Sequence, residues 1–368
     1  MATPTFRTLY ELAALYEQVR ARMDSGQLDE AGASAELAGV VGVDERAERW
    51  QVDAAGTWTK VGAAATGVPA KAGKRDADAE RELKAALKEL DALTGLTEVK
   101  KQVKQLAALV RVQRLREEVG LKNVTLTLHL VFRGNPGTGK TTVARLIGRI
   151  YAALGVVPQG QLVEVDRAGL VAEYVGQTAI KTSAAFAKAR GGILFIDEAY
   201  TLSRDAESSS PFGQEAIDAL VKLMEDHRDD TVLIVAGYPV EMDEFIASNP
   251  GLRSRFSRTV DFPDYTDAEL VEIFADMCRA GGYTATAEAK QRVHDILATS
   301  VRGPGFGNAR AVRTLFERGV VTQAERLATT KKPTKGELRY LTGDDIAPRI
   351  VLPPDPPVPP VPPTKTAG

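Results

Sequence analysis

The sequence predicts an α/β protein: a doubly wound parallel sheet with an all-helical lid, preceded by a small helical and hairpin module. Three observations predict it. Four short apolar runs, at 126–133, 162–166, 192–197 and 231–236, are separated by segments of helical periodicity, the alternation that builds βαβ units. The string "GNPGTGKTT" (134–142) lies between the first of these runs and a helical stretch. After Phe262-Pro263 the apolar spacing stays helical to about residue 328.

From the N-terminus, Leu12, Leu15, Val19 and Met23 recur at helical spacing, and "SGQLDE" (25–30) supplies a turn and an N-cap for a second short helix ending near Val41. "RWQVDAAGTWTKV" (49–61) reads as a hairpin around Ala55-Gly56. Residues 1–62 thus form a helix–helix–hairpin module. It holds both tryptophans, Trp50 and Trp58, which either pack on the helices or dock a partner. Residues 63–80, small and flexible in composition, read as a linker. The nucleotide-binding α/β part is expected over 81–263 and the lid over 264–350. The proline-rich tail, 351–368, has no core of its own. It reads as a solvated tether or as a ligand for a proline-recognising partner.

Composition removes several classes. With 47 basic against 49 acidic residues the net charge is −2, which argues against a general nucleic-acid binder. A single cysteine, Cys278, and three scattered histidines exclude a disulfide framework and disfavour a Cys/His metal site. No run approaches the roughly 18 apolar residues of a membrane span, and the first 20 residues lack the layout of a secretory leader. A cytoplasmic setting is expected.

The chemistry concentrates in two strings. "GNPGTGKTT" matches G-x-x-x-x-G-K-[ST] in its proper strand-to-helix context. Glycines let backbone N–H groups curl around phosphate oxygens, and the next helix aims its N-terminus at the same anion. Asn135, Pro136, Gly137, Thr138, Gly139, Lys140, Thr141 and Thr142 are therefore the candidate ATP-binding residues. Lys140 would meet the terminal phosphates, and the Thr141 hydroxyl would meet Mg²⁺. "GGILFIDEAY" (191–200) ends a buried strand in two acids, where ligands bind in open α/β sheets. Asp197 is the second candidate for Mg²⁺, and Glu198 the candidate to polarise the attacking water.

Several strings in order carry a resemblance: "LTGLTEVKKQV" (93–103), "HLVFRGNPGTGKTTVAR" (129–145), "YVGQTAIKT" (174–182), "GGILFIDEAY", "FGQEAIDALVKLMED" (212–226), "VAGYP" (235–239), "NPGLRSRF" (249–256) and "GNARAVRTLFERG" (307–319). From about Leu90 to Arg318 the chain resembles an AAA+ ATPase of the CbxX/CfqX type. The resemblance implies that Gly95, Leu96 and Val99 flank the adenine. It implies that Arg253 or Arg255 is an arginine finger acting on a neighbouring subunit's γ-phosphate, which needs a ring, usually a homo-hexamer. Arg310 would be sensor 2, with Arg313 the fallback one turn on. Tyr238 takes the sensor-1 position, where many AAA+ proteins carry asparagine or threonine. Tyr174, Val175 and Gly176 match the first pore loop of threading ATPases, and the serine-rich 203–214 sits where a second channel loop would lie.

The implied function is an ATP-driven ring that remodels or threads a protein client. The alternatives are a chaperone ATPase of a type VII-like secretion system and a nucleotide-dependent assembly switch without threading. The family also holds red-type Rubisco activases and sporulation-associated proteins. A metabolic P-loop kinase would not need "NPGLRSRF" or "GNAR". A DNA-remodelling ring would need more channel charge than Lys181 and Arg190 supply.

Overall fold

The computed structural model describes residues 5–6, 41–42, 50–52, 58–60, 72–124, 126–172, 174, 176–203 and 212–346. It divides into two units, Met1–Gly73 and Lys74–Gly368. In the first, β1 (Thr5–Phe6) pairs in parallel with β2 (Val41–Gly42). The expected hairpin is present: β3 (Trp50–Val52) pairs antiparallel with β4 (Trp58–Lys60), with Trp50 opposite Lys60 and Val52 opposite Trp58. The two helices read from the sequence and the packing of the tryptophan side chains lie outside the described residues, as does the tail from 351.

The second unit begins at Lys74, just inside the first long helix. Helix α1 (Ala72–Ala92) begins inside the stretch read as linker. Its sequence, "AGKRDADAERELKAALKELDA", is built from strong helix formers. Leu83, Ala86 and Leu90 recur on one face and are buried in the core, so tertiary packing holds the helix. Arg149 clamps it with ion pairs to Glu82 and Glu89. The next helix, α2 (Thr97–Glu118), buries Val99, Val103 and Leu106.

Five strands form one parallel sheet in the order β6-β7-β8-β5-β9. They are β5 (Leu130–Gly134), β6 (Leu162–Val165), β7 (Ile193–Ile196), β8 (Val232–Gly237) and β9 (Thr259–Phe262). Helices α3 (Lys140–Ala153), α4 (Arg167–Leu170), α5 (Thr178–Ala189), α6 (Phe212–Asp226), α7 (Pro239–Ser248) and α8 (Pro250–Arg255) connect them. The strand residues alternate between two cores. Leu130, Phe132, Ile193, Phe195, Val232 and Ile234 share one with α1–α3. Val131, Leu194, Ile196, Leu233 and Val235 share the other with α5–α7. With both faces covered, central strands read as continuous apolar runs.

Two strands differ from the sequence reading. Edge strand β6 is only partly buried. The fifth strand, β9, has no apolar run to announce it: "TVDF" alternates exposed and buried positions at the other edge. Its Phe262 stacks on Phe132, with ring centroids 4.8 Å apart.

The lid consists of α9 (Asp267–Ala280), α10 (Ala287–Ala298), α11 (Ala309–Ala328) and the short α12 (Lys335–Arg339). A two-residue parallel ladder, β10 (Thr284–Ala285) with β11 (Tyr340–Leu341), is added to the helices. Thr266 and Glu269 cap α9 reciprocally. Leu270, Phe274 and Val312 join the first sheet core, so lid and sheet share apolar packing. Among the described residues no helix is long and apolar enough to cross a membrane.

Candidate nucleotide site

The loop after β5 is shaped by two glycines with left-handed backbones, Gly137 (φ +72°) and Gly139 (φ +94°), the latter capping α3. A side chain at Gly137 would put its Cβ 2.2 Å from the Gly307 carbonyl oxygen, so the loop and the lid touch backbone to backbone. Inside the loop the Thr138 hydroxyl donates to the Asn135 carbonyl at 2.8 Å. Lys140 Nζ donates to the carbonyls of Gly134 (2.7 Å) and Asn135 (2.9 Å). Burial holds the Lys140 ammonium below its usual pKa, and the nearby Asp197 and Glu198 oppose that shift.

A cleft of about 410 Å³ opens over this loop. Its walls bring together nine of the residues that the sequence singles out: Pro136, Gly137, Gly139, Lys140, Thr141 and Thr142 from the loop, Asp197 and Glu198 from the end of β7, and Arg310 from the start of α11. Strand β8 separates β7 from β5, so parallel ladders, and no local sequence, bring the acids to the glycine loop. Asp197 Oδ1 accepts the Glu198 amide at 3.1 Å, and Glu198 itself has a left-handed backbone (φ +51°).

The donor set suits Mg²⁺ with a nucleotide. One hydroxyl and one carboxylate face a backbone cradle with no room for a Cβ, and Mg²⁺ is ordinarily completed by phosphate oxygens and water rather than by a protein cage.

Other predicted residues lie outside the cleft walls. Leu96 and Gly95 both have left-handed backbones. Leu96 Cδ1 would lie 3.4 Å from a Cβ at Gly139, beside the phosphate loop, and Gly95 backs onto Glu269 and Tyr265. Tyr238 caps α7 and lies beside Tyr200, ring centroids 6.1 Å apart. Arg253 and Arg255 stand on α8. Arg255 is ion-paired with Glu225 at 3.3 Å, whereas Arg253 is exposed and donates to the Ala247 carbonyl at 3.1 Å. Tyr174 is 68 % exposed in the connection between α4 and α5. Gly176 follows at φ +78°, with nothing within 4 Å of a Cβ placed there. Val175 and most of the serine-rich loop lie outside the described residues.

Three more residues, Met277, Ala309 and Arg313, line the wall, and of these the sequence offers only Arg313. Arg313, only a fallback in the sequence, lines the cleft beside Arg310, and Met277 reaches it from α9. Nothing in "FADMCRA" marks that methionine, since its role comes from where the lid helix docks.

Sheet, glycine loop, acid pair and helical lid together define an AAA+ ATPase, which binds ATP with Mg²⁺ and hydrolyses it. Residues 130–264 match the family described as "ATPase family associated with various cellular activities (AAA)", and 266–351 match the AAA lid domain. The chain belongs to the CbxX/CfqX type of that class. It is 44 % identical over 289 residues to stage V sporulation protein K of Bacillus subtilis (strain 168), covering 74 % of this chain and 89 % of that one. It is 47 % identical to protein CfxQ of Xanthobacter flavus, over 67 % of this chain and 78 % of the relative. It is 43 % identical to the chloroplastic ribulose bisphosphate carboxylase/oxygenase activase of Cyanidioschyzon merolae (strain NIES-3377 / 10D), over 73 % and 92 %. The FIGL-1 AAA domain in complex with ADP shares the fold, with a TM-score of 0.50 and 18 % identity over 69 % of this chain and 80 % of that one.

Proposed function

We propose that the protein is an ATP-driven ring that remodels a protein client, gripping it through Tyr174, Val175 and Gly176. The observation that carries this reading is the exposure of Tyr174. A large aromatic is held out in solvent, 68 % exposed, beside a glycine whose surroundings leave it free to move. Such a ring face binds extended chain by van der Waals contact without reading its sequence. One relative's name ties it to activation of a carboxylase and another's to sporulation, which supports a protein client and leaves its identity open.

In this reading Lys140 and the loop amides hold the β- and γ-phosphates, Thr141 and Asp197 hold Mg²⁺, and Glu198 orients the attacking water. Arg310, with Arg313 beside it, senses the γ-phosphate from the lid. Arg253 and Arg255 sit outside their own cleft, so either serves the site of a neighbouring copy, most simply in a closed hexamer. The exposed Arg253 is the less encumbered of the two. Gly95, Leu96 and Val99 flank the adenine, and Tyr238 takes the sensor-1 position at the end of β8.

The test is Tyr174→Ala. Nucleotide affinity should stay within about threefold of wild type while ATP-dependent action on the client is lost. Loss of both to the same degree would contradict the pore-loop assignment. A variant that assembles with ATP and never engages a polypeptide would favour the assembly switch.

A further inference from the structure

Asp264, on the segment joining β9 to the lid, receives two amides from opposite sides of the nucleotide site. Its Oδ1 accepts Asn135 Nδ2 from the phosphate loop at 2.9 Å and Asn308 Nδ2 from the lid at 2.7 Å. The outer atoms of both asparagines are also engaged. Asn135 Oδ1 accepts the Gly305 amide at 3.2 Å, and Asn308 Oδ1 accepts the Tyr265 amide at 3.0 Å. Asn308 is fully buried, and its backbone sits at φ +44°, ψ −124°, a strained region for a residue with a Cβ that persists only when surroundings impose it. Asp264 itself is not part of the cleft wall.

We infer that Asp264 is a positioning residue that couples the phosphate loop to the lid, and so sets where Arg310 stands. The path is short. The Asn135 carbonyl accepts Lys140 Nζ at 2.9 Å, and its side chain holds Asp264. Asp264 holds Asn308, which lies two residues before Arg310 at the start of α11. A γ-phosphate that draws Lys140 away from the Asn135 carbonyl disturbs the first link, and the half-buried amide–carboxylate–amide chain, anchored on the buried Asn308, carries that change into the lid. Backbone contact between Gly137 and the lid at Ala309 (3.2 Å) leaves little slack to absorb it. Polar chains of this kind resist rearrangement because each member, and above all the buried Asn308, loses a partner if the others move. The inference concerns ATP turnover and needs no client, so it stands or falls separately from the pore-loop reading.

The experiment pairs Lys222→Cys on α6 with Glu325→Cys on α11, both exposed positions, for spin labelling. The native Cys278 is buried and stays unlabelled. The labelled protein with Asp264 intact should show different interlabel distances with ATPγS and with ADP. In Asp264→Ala the two distributions should coincide, kcat should fall about tenfold, and ADP affinity should change less than threefold. Asp264→Asn keeps the volume and one acceptor oxygen. It should restore part of the distance change and bring kcat to within about threefold of wild type, which also covers the case in which the alanine variant fails to fold. A nucleotide-dependent shift or a kcat that survives undiminished in Asp264→Ala, or an Asp264→Asn variant that folds and recovers neither, overturns the inference.

Discussion

The Tyr265 hydroxyl donates to the carbonyl of Thr138 at 3.2 Å, tying the lid's entry segment to the middle of the phosphate loop. Tyr265 is buried, which pushes its pKa up to about 12, so the phenol stays a donor throughout the working range. Its folded value is above its unfolded one, so its stabilisation is complete below pH 10 and is lost as pH rises from 10 towards 12. Tyr265→Phe should cost about 1 kcal/mol and raise the KM for ATP severalfold with little change in kcat. Thermal unfolding and steady-state kinetics at neutral pH check both.

Two glycines of this chain should respond oppositely to alanine. Gly137→Ala drives a Cβ into the Gly307 carbonyl at a left-handed position, so the lid cannot seat and ATP binding should fall at least about tenfold. Gly176→Ala meets no neighbour and should cost only about 1 kcal/mol of backbone strain. Its melting temperature and nucleotide affinity should stay near wild type. Isothermal titration with ATPγS separates the two.

His129 gives an acid-side prediction. It is buried just before β5, its ring 6.0 Å from that of Phe256, its Nδ1 accepts the Leu233 amide at 3.0 Å, and burial first, then the Arg255 charge, lowers its pKa to about 4. A histidine held neutral loses stability as pH falls below its unfolded value of about 6.5. The loss runs down to about pH 4, with a slope of up to about 1.4 kcal/mol per pH unit. His129→Gln keeps an acceptor for Leu233 and removes the titration, so its melting temperature should fall less steeply between pH 6.5 and 4. An unchanged slope would remove His129 as the cause.

Asp345 anchors the far end of the lid. Its side chain is buried and accepts Arg326 Nε and Nη2, both at 2.9 Å, together with the Thr342 amide and hydroxyl. Arg326→Ala leaves that carboxylate without its cation and should cost about 2–3 kcal/mol, read as a lower unfolding midpoint in urea with an unchanged slope.

The site was legible in the sequence wherever its chemistry is local. The glycines, Lys140 and Thr141 lie within one loop, and Asp197 and Glu198 end one apolar run, so composition and spacing were enough. What stayed hidden depends on distant chain. Met277 enters the cleft because α9 docks there, and Asp264 gains its role from two asparagines far away in sequence. Strand β9 was passed over because an edge strand needs only one apolar face. Helix α1 was read as linker at its start because Ala, Gly and Lys also suit a flexible segment, and only burial of Leu83 and Leu90 downstream decides between them.

In the proposed function Tyr174 holds a protein client while ATP is bound. The most direct measurement compares Glu198→Gln with the double variant Glu198→Gln/Tyr174→Ala, each loaded with ATP, checked for equal assembly by light scattering, and analysed by mass spectrometry for retained polypeptide. The single variant should retain a specific protein, and the double variant, assembled to the same size, should release it. Equal retention by both would contradict the claim.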